Sequence, residues 1–193
     1  MKKLSAVMMA SALALSAAAQ APVKGETVGE LGIGVGALSG GGSTAMFTQR
    51  VAVEYGLADL NLDGHAWCLT LGAQVSNGVR TSSMDIPGLF STSATRDDIT
   101  LMPYVGLHHG FTERLEGYVS LGMGLGLLNA RVSVDGESDS ATDAAFAMAL
   151  NLGARYWFSP SWAVNTQIGI PSAIWKDGTA SYNIFSVGIS YKF

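Results

Sequence analysis

The chain has 193 residues, of which 48% are hydrophobic and only 13% are charged, with 24 glycines and a formal net charge of −4. So few basic residues leave no patch suited to nucleic acid. The single cysteine, Cys68, excludes an internal disulfide, and we interpret it as a small apolar strand residue. Beyond the N-terminus, no apolar run reaches the roughly 18 residues that a membrane-spanning helix needs.

The first 19 residues predict a cleaved secretory signal peptide. Two lysines precede an apolar run from Leu4 to Ala14, and small residues end the segment at Ala19. An uncleaved membrane helix is the alternative, but serines interrupt this run and such a helix needs about 20 strongly apolar residues. Cleavage removes two lysines and leaves nine basic residues against fifteen acidic ones, a charge of −6. We expect a signal peptide at 1–19, a short polar leader at 20–29 and one domain at 30–193.

Apolar residues alternate with small or polar ones along most of the domain, which is the two-residue period of β-strands. The clearest example runs from Val119 to Leu127. The pattern predicts eight strands, at about 31–38, 45–55, 60–75, 98–109, 115–134, 145–158, 162–171 and 183–193. The third changes parity, which predicts a β-bulge near Trp67. Pro103 is unfavourable in the fourth, because a closed sheet has no free edge for it.

Three unpatterned stretches are predicted to be long loops, at 76–97, 135–143 and 172–182. The acidic loop 135–143 could hold a hard cation through carboxylate oxygens, but it lacks the EF-hand spacing and is interpreted as a solvated surface loop. Two Gly-x-Gly repeats, beginning at Gly32 and Gly122, lie within strands and therefore lack the strand-to-helix turn of a nucleotide site.

Three short connections resemble one another and recur about every fifty residues: 55–60, 109–115 and 156–162. Each has an aromatic ring, an apolar residue and a small or polar turn. Short turns that alternate with longer loops are typical of an up-and-down barrel with its short turns at the periplasm. Rings near these turns, with two at the C-terminus, predict an aromatic girdle at one membrane interface: Tyr55, Phe111, Tyr156, Phe158, Trp162, Tyr191 and Phe193.

The closing strand, 183–193, ends with Tyr191 and Phe193. It resembles the last strand of bacterial outer-membrane β-barrels, which ends in phenylalanine with an aromatic residue two positions earlier. The mature chain as a whole is similar to the small eight-stranded OmpA/OmpX and opacity-type surface proteins. The resemblance implies an all-β, antiparallel up-and-down transmembrane barrel in the outer membrane. It also implies contact with outer-membrane lipid, recognition of the last strand by the barrel-assembly machinery, and a monomer.

An eight-stranded barrel has an interior that side chains can fill. Strand parity places a mixture of acids, bases and amides inside: Arg50, Glu54, Asp63, His65, His108, Glu116, Asn151, Arg155 and Lys192. Because unpaired charges there would be costly, we expect them to pair into a polar plug. Glu54, Glu116, Arg155 and Lys192 should lie near the periplasmic end in one network.

Three functions remain open on this evidence. The first is a structural or surface-interaction protein with a filled lumen and possible partners at its loops, and the second is a narrow porin-like channel. The third is a lipid A-modifying enzyme, which would need a histidine, a serine and an acid together. None of His65, His108 and His109 is followed two residues later by serine, the spacing expected of the deacylases. We predict no enzyme, no cofactor and no metal.

Overall fold

The computed structural model describes residues 22–38, 45–62, 64–86, 90–135, 137–176 and 178–193. The predicted signal peptide and the start of the leader lie outside these residues. Eight antiparallel strands form a closed barrel in chain order, in which the first strand pairs with both the second and the last. This confirms the predicted fold class. The strands are β1 (Thr27–Leu38), β2 (Ala45–Leu62), β3 (His65–Ile86), β4 (Phe90–Gly110), β5 (Leu115–Val134), β6 (Glu137–Trp157), β7 (Trp162–Trp175) and β8 (Gly178–Lys192).

The barrel wall is apolar outside and polar or small inside. Along β1, for example, Leu31, Ile33 and Val35 are exposed while Gly32 and Gly34 are buried. Successive side chains of a strand point to opposite faces, so the sequence period translates directly into this division. A soluble domain would turn its apolar face inward. The outward apolar face is the arrangement of a barrel that stands in lipid.

Several predicted boundaries are wrong at the short-turn end. β1 begins at Thr27, so the end of the predicted leader belongs to the wall. The first predicted short turn, 55–60, lies inside β2, and the hairpin closes between Leu62 and His65, which pair. Asp-Gly is a strong hairpin signal, and Gly64 has φ +80°. The predicted bulge near Trp67 is also wrong. The change of parity in the third predicted strand arises because this turn separates β2 from β3. The one register shift between these two strands lies in β2, between Gly56 and Ala58.

The three predicted long loops are also wrong, because their residues are mostly strand. β3 and β4 pair as far as Ile86 and Phe90, β5 and β6 as far as Val134 and Glu137, and β7 and β8 up to residue 178. Beyond the barrel both faces of the β5–β6 hairpin meet solvent, so no apolar alternation marks it. The β7–β8 hairpin stays in the wall, where Ala173, Ala180 and Tyr182 are buried. Pro103 is accommodated by a gap, since the pairing of β4 with β5 is interrupted between Leu101 and Tyr104.

Four strands continue beyond the barrel at the end opposite the short turns. We call residues 80–86, 90–97, 129–134 and 137–144 the projecting sheet. Its β3 segment extends past the last β2 pair, Phe47 with Val79, and its β6 segment extends past the last β7 pair, Phe146 with Ile174. Both outer edges therefore have no partner strand among the described residues. Every residue from Glu137 to Ala144 is exposed.

Candidate functional site: the charged cluster in the lumen

A cluster of charged side chains crosses the lumen at the short-turn end, and Arg155 is its centre. Its Nη2 atom lies 2.5 Å from Oε1 of Glu30 and 2.6 Å from Oε1 of Glu54, and its Nη1 donates to Oε1 of Glu116 over 2.8 Å. These acids stand on β1, β2 and β5, while Arg155 stands on β6. One guanidinium therefore connects four strands of the wall.

A second guanidinium and an imidazole extend the cluster. Arg50 donates from Nη2 to Oε2 of Glu30 over 2.5 Å. The Nδ1 atom of His108 lies 2.6 Å from Oε1 of Glu116, and its Nε2 lies 3.3 Å from Oε2 of Glu54. We call these residues the charged cluster: Glu30, Arg50, Glu54, His108, Glu116 and Arg155.

Aromatic side chains pack around the cluster and satisfy its remaining oxygens. The hydroxyl of Tyr104 donates to Glu54 over 3.2 Å, and Nε1 of Trp157 donates to Glu116 over 2.9 Å. Tyr118 stacks on the His108 ring at 5.2 Å and lies 4.8 Å from the Arg155 guanidinium. Buried charges that are paired and hydrogen-bonded in this way avoid most of the cost of leaving water.

The structure places the predicted lumen residues as follows. Arg50, Glu54, His108, Glu116 and Arg155 meet in the charged cluster. Asn151 is buried but donates to Ser120 over 3.2 Å instead. Lys192 lies at the margin of the charged cluster, with Nζ 3.0 Å from Oε2 of Glu26 and 4.8 Å from the Trp157 ring centre.

The prediction for His65 is wrong. Its side chain is exposed beside the β2–β3 turn, because β3 begins there. Asp63 lies outside the described residues.

The sequence-based prediction missed two members of this region. Glu30 was not among the predicted lumen residues, because the first strand was predicted to begin at Leu31. It nevertheless shares the parity of the inward Gly32. Trp157 was overlooked between Tyr156 and Phe158, whose rings face outward. The two-residue period identifies Glu30 when the strand is extended by one position, and it identifies Trp157 without extension, because Trp157 shares the parity of Arg155.

The hydroxyl of Thr70 lies 3.0 Å from Nε2 of His108, whose other ring nitrogen contacts Glu116. Hydroxyl, imidazole and carboxylate in this order form the arrangement of a hydrolytic triad. Here all three side chains are 0% exposed, so no substrate reaches the hydroxyl without displacement of the surrounding side chains. Among the described residues, no group of three or more potential metal-binding side chains has the geometry for an ion.

The predicted girdle residues are close to the short turns or the C-terminus, on the outer face. Six of the seven are exposed, and Tyr191 is partly exposed. Tyr191 lies between its neighbours, with ring centres 4.7 Å from Trp162 and 5.0 Å from Phe193. A further ring pair lies at the same end, where Trp67 stacks on His109 at 4.6 Å. Rings at this level are suited to lipid headgroups.

The sequence matches the family model described as outer membrane protein beta-barrel domain, over residues 5–193. The chain therefore belongs to this family of outer-membrane β-barrels, and its localisation is the outer membrane. No curated protein matches the sequence.

Solved structures share the fold at low sequence identity. The attachment invasion locus protein Ail of Yersinia pestis, in complex with the heparin analogue sucrose octasulfate, has a TM-score of 0.58 and 15% identity, and the match covers 89% of this chain and all of Ail. Neisserial surface protein A has a TM-score of 0.55 and 13% identity over 87% of this chain and 96% of its own. A major outer membrane protein of Thermus thermophilus has a TM-score of 0.51 and 14% identity over 86% and 99%.

Proposed function

We propose that this protein is a non-enzymatic surface protein whose sealed barrel anchors the projecting sheet outside the cell, where the sheet binds another protein. The observation that carries the proposal is the β6 segment from Glu137 to Ala144, which is exposed on both faces and has an outer edge without a partner strand among the described residues. In barrels of this topology the short turns face the periplasm, which places the projecting sheet on the outer side.

An open strand edge presents unpaired N–H and C=O groups, to which an extended segment of another protein can add as a further strand. The edge here also carries charge of one sign. Asp135, Glu137, Asp139 and Asp143 lie at or beside it, whereas Arg131 is the one base on the described β5 and β6 segments of the projecting sheet. The preferred partner would therefore be a strand with basic side chains. The acidic character disfavours a sulfated saccharide such as the sucrose octasulfate found with Ail.

The lumen supports an anchoring role in preference to conduction. Arg155 and Glu116 are 1% and 0% exposed, and Trp157 fills the space beside them. The guanidinium also contacts carboxylates on three other strands, and this close packing supports a lumen that is sealed at this level. A narrow channel is the alternative function, and it would require these ion pairs to open.

Binding of a designed strand peptide tests the proposal. The probe is a fluorescent peptide of alternating lysine and valine, titrated against the barrel in lipid nanodiscs, with fluorescence anisotropy as the measurement. The matched control peptide has the same sequence but is N-methylated at alternate residues, which removes the donors on one edge. We expect saturable binding of the first peptide, weaker binding at high salt, and no binding of the second.

Charge-reversal variants show where on the protein the peptide binds. Glu137→Lys with Asp139→Lys should weaken binding, whereas Asp59→Lys with Glu113→Lys, near the short turns, should not change it. Replacing residues 129–142 by a two-residue Asn-Gly turn, which keeps the pair of Leu128 with Asp143, should abolish binding. Equal affinity for the methylated peptide, or retention of binding after this truncation, would overturn the proposal.

A further inference from the structure

The part of the lumen between the charged cluster and the projecting sheet contains a partly open cavity of about 70 Å³. All eight strands contribute to its lining. The charged cluster borders it on the short-turn side, where Arg50 belongs to both. A role for this cavity would be separate from the proposed surface function, because the cavity lies in the barrel and not on the projecting sheet.

Inward side-chain size along β6 differs between the two halves of the lumen. The short-turn half holds Trp157, Arg155 and Tyr104. The cavity half carries small side chains at the equivalent inward positions of β6, where Ala147 and Ala149 pack on Met102. An eight-stranded barrel of ordinary composition fills its interior with side chains. The empty volume in this half is therefore a consequence of which residues the chain places there.

Two polar groups at the cavity lack a partner. Gln74 is 5% exposed, and its amide makes no hydrogen bond to any residue that the structure describes. The Nε atom of Arg50 is buried and also has no acceptor, although the same side chain binds Glu30 through Nη2. Buried polar groups normally have partners, and each exception calls for an explanation. The Gln74 amide is therefore the group that can donate to an acceptor inside the cavity.

We propose that this cavity binds a small aliphatic molecule with one hydrogen-bond-accepting head group, a carboxylate or an amide carbonyl. The head group accepts a hydrogen bond from the Gln74 amide. The aliphatic body packs against Met46, Met102 and Ala149. The ligand enters from outside the cell and stops at the charged cluster, so the cavity is a binding site and not a passage.

Methionine methyl NMR of the protein in lipid nanodiscs provides the test. Met46 and Met102 report on the cavity, and the lipid-facing Met123 reports on the probe that dissolves in the bilayer. The probes are hexanoate, hexanamide and hexane. We expect saturable shifts of the Met46 and Met102 methyl signals with hexanoate or hexanamide, which identifies the preferred head group, and much weaker binding of hexane.

Three variants make the test specific. Ala147→Leu fills the cavity and should abolish the saturable shifts, whereas Ala73→Leu, which adds the same volume on the outer face, should not. Gln74→Leu should weaken binding about tenfold, the effect of one hydrogen bond. If Ala147→Leu does not fold, Ala149→Leu provides the same blockage. Shifts at Met102 that rise in proportion to those at Met123 without saturation, or that persist in the filled variant, would overturn the proposal.

Discussion

Nε of Arg155 on β6 donates to Oε1 of Glu30 on β1 over 2.7 Å, which joins residues 125 positions apart across the lumen. The same guanidinium contacts Glu54 and Glu116. This one side chain fixes the distance between walls that are not neighbours in the sheet. The strand pairing in the barrel wall and the ion pairs in the lumen therefore stabilise each other.

Loss of Arg155 should destabilise the barrel strongly. Arg155→Ala leaves three buried carboxylates without their shared cation, and breaking a buried pair in this way costs about 3–5 kcal/mol. Urea titration of the protein in lipid vesicles, followed by tryptophan fluorescence, measures this difference. The matched control is Arg131→Ala, since Arg131 is exposed and makes no ion pair among the described residues; it should change the free energy of unfolding little. Equal effects of the two variants would contradict this interpretation.

Trp157 should stabilise the folded barrel through its hydrogen bond as well as through its volume. Trp157→Phe retains a ring but leaves Oε2 of Glu116 without the indole donor, and hydrogen bonds to charged groups are worth about 1.5–3 kcal/mol. The same urea titration gives the value. Trp162→Phe, on the outer face, is the control and should cost less. Acrylamide should quench Trp157 poorly in a variant that retains it as the single tryptophan, and efficient quenching would place it outside the sealed region.

Gly72 should tolerate no larger residue. A β-carbon there would meet the ring of Tyr104, with the hydroxyl oxygen 2.7 Å away, well inside van der Waals contact. Gly72→Ala should therefore displace Tyr104 and break its hydrogen bond to Glu54. At Gly126 the nearest atom would be an ordinary 3.6 Å away, so Gly126→Ala should be neutral. The urea midpoints of unfolding of the two variants test this difference. If Gly72→Ala unfolds at the same urea concentration as the parent, the Tyr104 ring moves at little cost.

Much of the barrel could be predicted from the sequence, because lipid on one side and a packed lumen on the other impose a strict alternation. β5 begins and ends where the pattern predicts, at Leu115 and Val134. The pattern is lost where both faces meet solvent, which is why the extended hairpins were predicted as loops. The turn between Leu62 and His65 was missed because the neighbouring segment from Tyr55 to Leu60 looked like a copy of the other short connections.

The interior could be predicted less completely. Parity shows which side chains face inward, and it places Glu54, Glu116 and Arg155 there. It does not show which strands meet across the lumen, so neither the contact of Glu30 with Arg155 nor the empty space beside Ala147 follows from the pattern. Both depend on how far each strand is shifted against its neighbours when the barrel closes.

Single-channel conductance of the refolded protein in a planar bilayer tests the sealed lumen most directly. We expect no steady current from the parent protein, and leakage only in Glu54→Ala or Arg155→Ala, where an ion pair of the charged cluster is lost. Arg131→Ala should remain as silent as the parent. A steady, ion-selective current through the parent protein would contradict the sealed barrel and make the channel the leading function.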